Sequence, residues 1–200
     1  MKCDVVIAGV GGQGNVLASR VLARAAVAAG LEVRTSENIG MAQREGPVAS
    51  HVRMGKGLAG GIVPDGEADL LIGLELAEAV RALPKLRPGG KAVVSTTVIR
   101  PPSVLLGAST YDVDGLLGYL KERVPDAVLL EAEELAAAAG NRKAANSVLL
   151  GAAGALDGVL PVTADQLLDA LLATLPPRLH EVNRRAFALG REAPGKAGKV

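Results

Sequence analysis

Two hundred residues, 49% of them hydrophobic, suffice for one α/β domain with a sizeable core and exclude wholesale disorder. Twenty-two Lys and Arg stand against 21 Asp and Glu, so the formal charge of +1 offers no global basic field for a nucleic acid or an anionic membrane; two Tyr, one Phe and no Trp are too few rings to read single strands by stacking. The one cysteine, Cys3, permits no internal disulfide, no iron–sulfur cluster held by four cysteines and no multi-thiolate zinc site.

The apolar run after Met1-Lys2-Cys3-Asp4 is too short for a secretory signal, and charge, Gly or Pro interrupts every Ala/Leu stretch before it reaches bilayer length. The expectation is a cytoplasmic protein without nucleic-acid or membrane partners. In chain order, Val5-Val6-Ile7-Ala8 is a buried strand in style, followed by Gly9-Val10-Gly11-Gly12-Gln13-Gly14 and a helix from Asn15 to Ala29 that stops at Gly30. The helix's core stripe is expected to be Leu17, Val21, Ala25 and Ala28, with Arg20 and Arg24 in water. A second strand over 31–36 completes a βαβ opening and argues a parallel sheet.

Residues 37–47 form a Gly-rich, charged loop. Over 48–54 a strand alternates, with Val48, Val52 and Met54 on one face, interrupted by Ser50, and Ala49, His51 and Arg53 on the other, expected to be wet or to face a site. Further strands are predicted at 69–73, 91–95, 110–113 and 127–130. Helices are predicted at 75–83, 114–123, 131–139, 144–156, 163–175 and 181–189, with the turn Arg87-Pro88-Gly89-Gly90 and a loop over 96–109 between elements. Thr163 and Gln166 have the spacing of a capping box, and Gly151 and Gly154 allow close helix packing. Asn183 and Phe187, four apart on the last helix, suggest a docking face. The fold expected is a Rossmann-like, doubly wound, mostly parallel sheet with helices on both faces and a helical C-terminal region. It spans residues 1–190 as one domain, with a flexible tail over 191–200.

Gly9-x-Gly11-x-x-Gly14 between strand and helix suits a phosphate loop, because glycines let backbone N–H groups approach an anion and the helix adds its positive end. It is not a Walker loop, since Asn15-Val16 stands where Lys-Ser/Thr is required. A nicotinamide dinucleotide would also need an acid after the second strand, for which Glu37 is the only candidate; a tight turn with glycines for packing alone is the other alternative. Arg44, Glu45, Ser50, His51 and Arg53 cluster around a loop-to-strand junction, where Arg44 suits a phosphate or carboxylate and a solvated surface pair is the plainer explanation. Asn141-Arg142-Lys143 precedes an apolar helix, and Asn146 within it needs a ligand, a partner or a carbonyl if buried. No nucleophile elbow, triad, carboxylate dyad or metal cluster is present in the sequence.

Four segments occur in a telling order: Gly9 to Gly14, Met41 to Arg53, Gly140 to Asn146, and Glu181 to Phe187. Together they resemble the gamma-type subunit of the 2-oxoacid:ferredoxin oxidoreductases, and within that family the small, indolepyruvate-type subunit. One departure stands out: many members have Arg-Gly-Gly where this chain has Arg44-Glu45-Gly46. The resemblance implies a large partner subunit carrying thiamine diphosphate and iron–sulfur clusters, and oxidative decarboxylation of an aryl 2-oxoacid to an acyl-CoA with ferredoxin as electron acceptor. It also implies a coenzyme A contact through Gly9, Gly11, Gly12, Gln13, Gly14 and Asn15, with Arg44, Ser50 and Asn146 lining the same crevice. A stand-alone NAD(P)-dependent dehydrogenase and a nucleotide-sensing module are the competing readings.

Overall fold

The computed structural model describes residues 2–40 and 46–194. The opening is the expected one. Strand β1 (Cys3–Val10) is buried along its whole length, as a β-branched run at the centre of a two-faced sheet must be. Helix α1 (Asn15–Ala28) follows, then β2 (Glu32–Ile39). The remaining strands are β3 (Pro47–Gly55), β4 (Ala68–Gly73), β5 (Leu86–Ser95) and β6 (Val128–Leu130). They form one sheet in the order β2-β3-β1-β4-β5-β6. β1 pairs parallel with β4, β4 with β5 and β5 with β6, whereas β3 runs antiparallel to both of its neighbours.

That insertion corrects two expectations. β2 points the same way as β1, but β3 separates them. β3 therefore has no wet side: Val48, Ser50, Val52 and Met54 lie on the face that α1 covers, and His51 and Arg53 are buried on the other face. There Val63 N–H donates to His51 Nδ1 (3.3 Å) and Arg53 Nη1 donates to Ile62 O (3.2 Å), so the 62–63 segment roofs the strand. Arg53 also forks onto Asp4, its cross-strand neighbour, with Nε to Oδ1 at 3.0 Å and Nη2 to Oδ2 at 2.9 Å. Arg53 and one nitrogen of His51 are thus met by partners remote in sequence rather than by water, whereas Ser50 Oγ and His51 Nε2 have no hydrogen-bond partner among the described residues.

Helices α2 (Leu76–Ala82) and α4 (Val113–Arg123) cover one face of the sheet over Val6, Ala8, Leu71, Ala92 and Val94. The other face carries α1, α5 (Ala132–Ala139), α6 (Ala145–Gly154), α7 (Ala164–Thr174) and α8 (His180–Glu192) over Val5, Ile7, Leu70, Ile72 and Val93. The doubly wound α/β architecture with a helical C-terminal layer is thus present. The stripe of α1 is Ala18, Val21, Leu22, Ala25 and Ala26, because α1 touches the sheet below and α7 at its flank; Leu17 is only half-buried and Ala28 is exposed.

Three local expectations fail for local reasons. Residues 110–113 are not a strand: Asp112 caps α4 by accepting from Gly115 N–H at 3.0 Å. The Arg87-Pro88-Gly89-Gly90 turn is absorbed into β5 as a break in register, from Ala68 opposite Leu86 to Leu70 opposite Lys91, with Gly89 at φ +75°. The 96–109 loop contains a short helix, α3 (Pro102–Leu105).

Asn183 and Phe187 are buried, not a docking face. Asn183 Oδ1 accepts from Ser147 Oγ at 2.7 Å, and its Nδ2 donates to Leu179 O at 2.8 Å. They belong to a close α6–α8 contact that Gly151 and Gly190 permit. The capping box of α7 forms as predicted, with Gln166 N–H on Thr163 Oγ1 (3.2 Å) and Thr163 N–H on Gln166 Oε1 (2.9 Å). α8 continues to Glu192, and residues 195–200 of the expected tail lie outside the described residues.

Candidate functional site

β1 ends at Val10 and α1 starts at Asn15, so residues 11–14 must reverse the chain over the carboxyl edge of the sheet. Gln13 sets this turn. Its N–H donates to Val10 O (3.2 Å), its Oε1 accepts from Val10 N–H (2.8 Å), and its Nε2 donates to Leu74 O (3.0 Å) at the end of β4. Gly9 makes this possible: a Cβ there would stand 2.8 Å from both Gln13 Oε1 and Asn15 Oδ1. Gly14, the residue before α1, has φ +92° and provides no side-chain cap, and no acidic residue lies in the helix's first turn. The positive end of α1 is therefore left without a negative side chain of its own.

Beside this turn opens a recess of about 310 Å³ lined by Gly12, Gln13, Leu74, Thr97, Glu133, Arg142, Lys143, Ala145 and Leu149. Its basic pair comes from the turn ahead of α6, where Asn141 Oδ1 accepts from Lys143 N–H at 3.0 Å and fixes the backbone. Arg142 pairs with Glu134 and, at 3.6 Å, with Glu133; Lys143 has no ion pair among the described residues. Asn146 packs against the loop, and a Cβ on Gly14 would lie 2.5 Å from its Nδ2. Only 4% of Asn146 is exposed, yet among the described residues its side chain makes no hydrogen bond. The side-chain atoms left buried without a partner among the described residues are instead Asn15 Oδ1, Ser50 Oγ and His51 Nε2, and the first of these stands beside Gly9 at the start of α1.

The structure thus brings Gly9, Gly12, Gln13, Gly14 and Asn146 together, and separates other candidates from the recess. Gly11 N–H is already committed to Gly46 O (2.9 Å). Asn15 is buried; its Nδ2 donates to Val48 O (2.7 Å) and ties α1 to β3, while its Oδ1 has no hydrogen-bond partner among the described residues. Ser50 is fully buried on the α1 face of β3 and does not line an open crevice. Arg44 and Glu45 lie outside the described residues. Glu37 sits on β2, two strands from β1, where it accepts a long bond from Ser19 Oγ (3.4 Å); the acid of a dinucleotide site belongs on the strand beside β1.

Sequence reasoning overlooked Thr97, and it singled out the 141–146 segment without giving Arg142 and Lys143 a ligand contact, since their signal was only a basic pair ahead of an apolar helix. It also missed a second cavity, about 550 Å³, lined among others by Val10, Glu75, Ile99 and Tyr111. Glu75, 1% exposed, stands in its wall; the hydroxyl of Tyr111 donates to it, and burial together with that carboxylate pushes the phenol's pKa up. On β3, burial first, then the charges of Lys85 and Arg53, holds the His51 imidazole below its ordinary range, and its Nε2 has no partner among the described residues. Cys3 is buried with its thiol on Val159 O (3.4 Å), and burial pushes its pKa up to about 12. Among the described residues no group of three or more His, Cys, Asp or Glu is placed to hold a metal, and no helix is long and apolar enough to cross a membrane.

A mostly parallel α/β sheet whose first strand delivers a glycine turn beside a recess carrying Arg142 and Lys143 defines a Rossmann-like α/β class. The particular family follows from comparison. Residues 4–193 match the pyruvate ferredoxin/flavodoxin oxidoreductase family, and the chain belongs to it. It is similar to the indolepyruvate oxidoreductase subunit IorB of Methanothermobacter thermautotrophicus, 39% identical over 191 residues that cover 95% of this chain and 96% of that one. The same subunit of Thermococcus kodakarensis is 38% identical over 192 residues, covering 95% of each. Among solved structures, the gamma subunit of the keto/oxoacid ferredoxin oxidoreductase of Geobacter sulfurreducens superposes with a TM-score of 0.70 at 26% identity, over 98% of both chains. The 2-oxoglutarate:ferredoxin oxidoreductase of Magnetococcus marinus, solved with 2-oxoglutarate, coenzyme A and succinyl-CoA bound, shares the fold (TM-score 0.70, 20% identity); this chain aligns with 31% of it.

Proposed function

We propose that this chain is the small, cluster-free subunit of an indolepyruvate-type 2-oxoacid:ferredoxin oxidoreductase, and that the recess between its glycine turn and Arg142–Lys143 holds phosphates of coenzyme A. The observation that carries the second half is the meeting of Gly12 and Gln13 of the turn with Arg142 and Lys143 on one recess, in which Glu133 is the one acidic lining residue. The first half is supported by family membership and by likeness to IorB subunits along nearly the whole chain. Residues 1–190 act as one gamma-type unit, in the cytoplasm.

The division of labour is the one that family likeness implies, and the chain's own chemistry fits it. Its single cysteine, buried and held protonated, is no ligand for a cluster. Thiamine diphosphate and the clusters, which supply decarboxylation and the electron path to ferredoxin, belong to a large partner subunit. What this chain does is bind and orient: Gln13 fixes the turn, Gly12 gives an anion access to the backbone, and Arg142 and Lys143 neutralise its charge. Asn146 sets the position of the loop against α6 and has a free amide to offer. The stand-alone dehydrogenase is disfavoured by the position of Glu37 on β2.

Co-expression with a cluster-bearing large subunit tests the assignment. The expected result is a brown complex that reduces ferredoxin with an aryl 2-oxoacid only when coenzyme A is present, while this chain alone is colourless and inactive. A chain that turns over NAD(P) by itself would contradict it.

A further inference from the structure

One carboxylate ties down both ends of a surface segment. Glu75 Oε1 accepts from Ile99 N–H at 3.2 Å and from the hydroxyl of Tyr111, while Oε2 accepts from Glu78 N–H at 2.9 Å and caps α2. The Tyr111 oxygen in turn accepts from Ala77 N–H at 3.1 Å. Residues 99–111 are thereby closed into a strap that arches over the 550 Å³ cavity. Burying a carboxylate is expensive and is tolerated here only because three donors satisfy it. Yet the strap that it orders returns almost nothing to the core of this chain: α3 has no buried residue, and from Pro101 to Thr110 every residue is exposed except Val104, which is half-buried. At its tip Leu105 and Leu106 are 71% and 84% exposed, two adjacent large apolar side chains held out into water.

We propose that this strap is a preformed docking element whose Leu105–Leu106 tip seats in an apolar recess of the large catalytic subunit. The proposal rests on the reading of this chain as a subunit. The occupant is argued from position. The strap follows β5, so it stands on the carboxyl edge of the sheet, the edge that also carries the glycine turn after β1 and the basic recess. A partner that must reach a ligand bound at that edge meets the strap first. Val27, also exposed and apolar (61%), lies near the far end of α1, on the opposite edge, and takes no part. Order imposed in advance by Glu75 removes the cost of fixing the strap on association.

The test is the affinity of the complete chain for the cluster-bearing large subunit, by titration calorimetry. The double variant Leu105→Ser/Leu106→Ser should bind about tenfold more weakly or worse, as burial of two leucines demands. Tyr111→Phe, which frees one end of the strap, should weaken binding less and raise amide exchange across 99–111. Val27→Ser should bind like the wild type. Wild-type affinity in the double variant, or an equal loss in Val27→Ser, would overturn the docking role and leave the subunit assignment standing. Failure of the unaltered chain to bind any such subunit would overturn both.

Discussion

Replacing Gly190 by alanine sets two effects of opposite sign against each other. In an ordinary helix interior the change stabilises by about 1 kcal/mol, because glycine gives up more backbone freedom than alanine. At Gly190, however, the new Cβ would stand 1.8 Å from Val148 O and 2.6 Å from its carbonyl carbon on α6. Gly151 is the reciprocal position, with a Cβ 2.1 Å from Phe187 O on α8. Both obstacles are helix backbone, so no side chain can rotate away, and the helices must part by roughly 1.5 Å to restore normal contact. Overpacking of this kind costs about 1–3 kcal/mol, and rigid backbone on both sides puts it at the upper end. The net expectation is a loss of about 2 kcal/mol, or about 4–8 °C in Tm for a chain of this size. Gly118 is the counterpart: it lies exposed in α4 with nothing within 4 Å of its Cβ position, so Gly118→Ala should gain about 1 kcal/mol. Urea and thermal unfolding of the two variants measure both. Because α6 carries Asn146 and lines the recess through Ala145 and Leu149, Gly190→Ala should also weaken coenzyme A binding. A Gly190→Ala variant as stable as Gly118→Ala would refute the account of the α6–α8 contact.

Two further outcomes follow from burial. The folded His51 imidazole resists protonation, while in the unfolded chain it titrates at about the ordinary 6.5; its contribution is present above that pH and is lost as pH falls below it. Unfolding midpoints should therefore drop between pH 7.5 and 5.5, and by less in His51→Gln; an identical drop in both proteins would exclude His51 as the source. Cys3, held protonated in the core, should be silent to a thiol reagent at pH 8 in the native chain and yield one equivalent in denaturant; prompt native reaction would contradict its burial.

The parts of the fold that depend on neighbours in sequence were legible. The β1–turn–α1 unit, the Thr163–Gln166 box and the small residues of α6 each announce themselves within a few positions. What was not legible depends on remote pairing. β3 looks half wet because His51 and Arg53 are polar, but Ile62 and Asp4 satisfy Arg53, and Val63 meets His51 Nδ1, from other elements. Asn183 looks like a surface amide until Ser147 meets it. The site divides in the same way. The glycine turn is local and was found, although Gly11 N–H and Asn15 Nδ2 bond to the chain itself and Ser50 is buried under α1. Arg142 and Lys143 join the turn from some 130 residues further on, and Glu75 meets Tyr111 across 36 residues. No spacing rule reaches that far.

The most direct test of the central claim is the KM for coenzyme A in the reconstituted oxidoreductase, compared between the wild type and Arg142→Ala/Lys143→Ala. Loss of both cations should raise that KM at least about tenfold while the KM for the 2-oxoacid stays unchanged, the pattern of a lost binding contact to one substrate. An unaltered KM for coenzyme A in a correctly assembled complex would place its phosphates elsewhere and contradict the assignment of the recess.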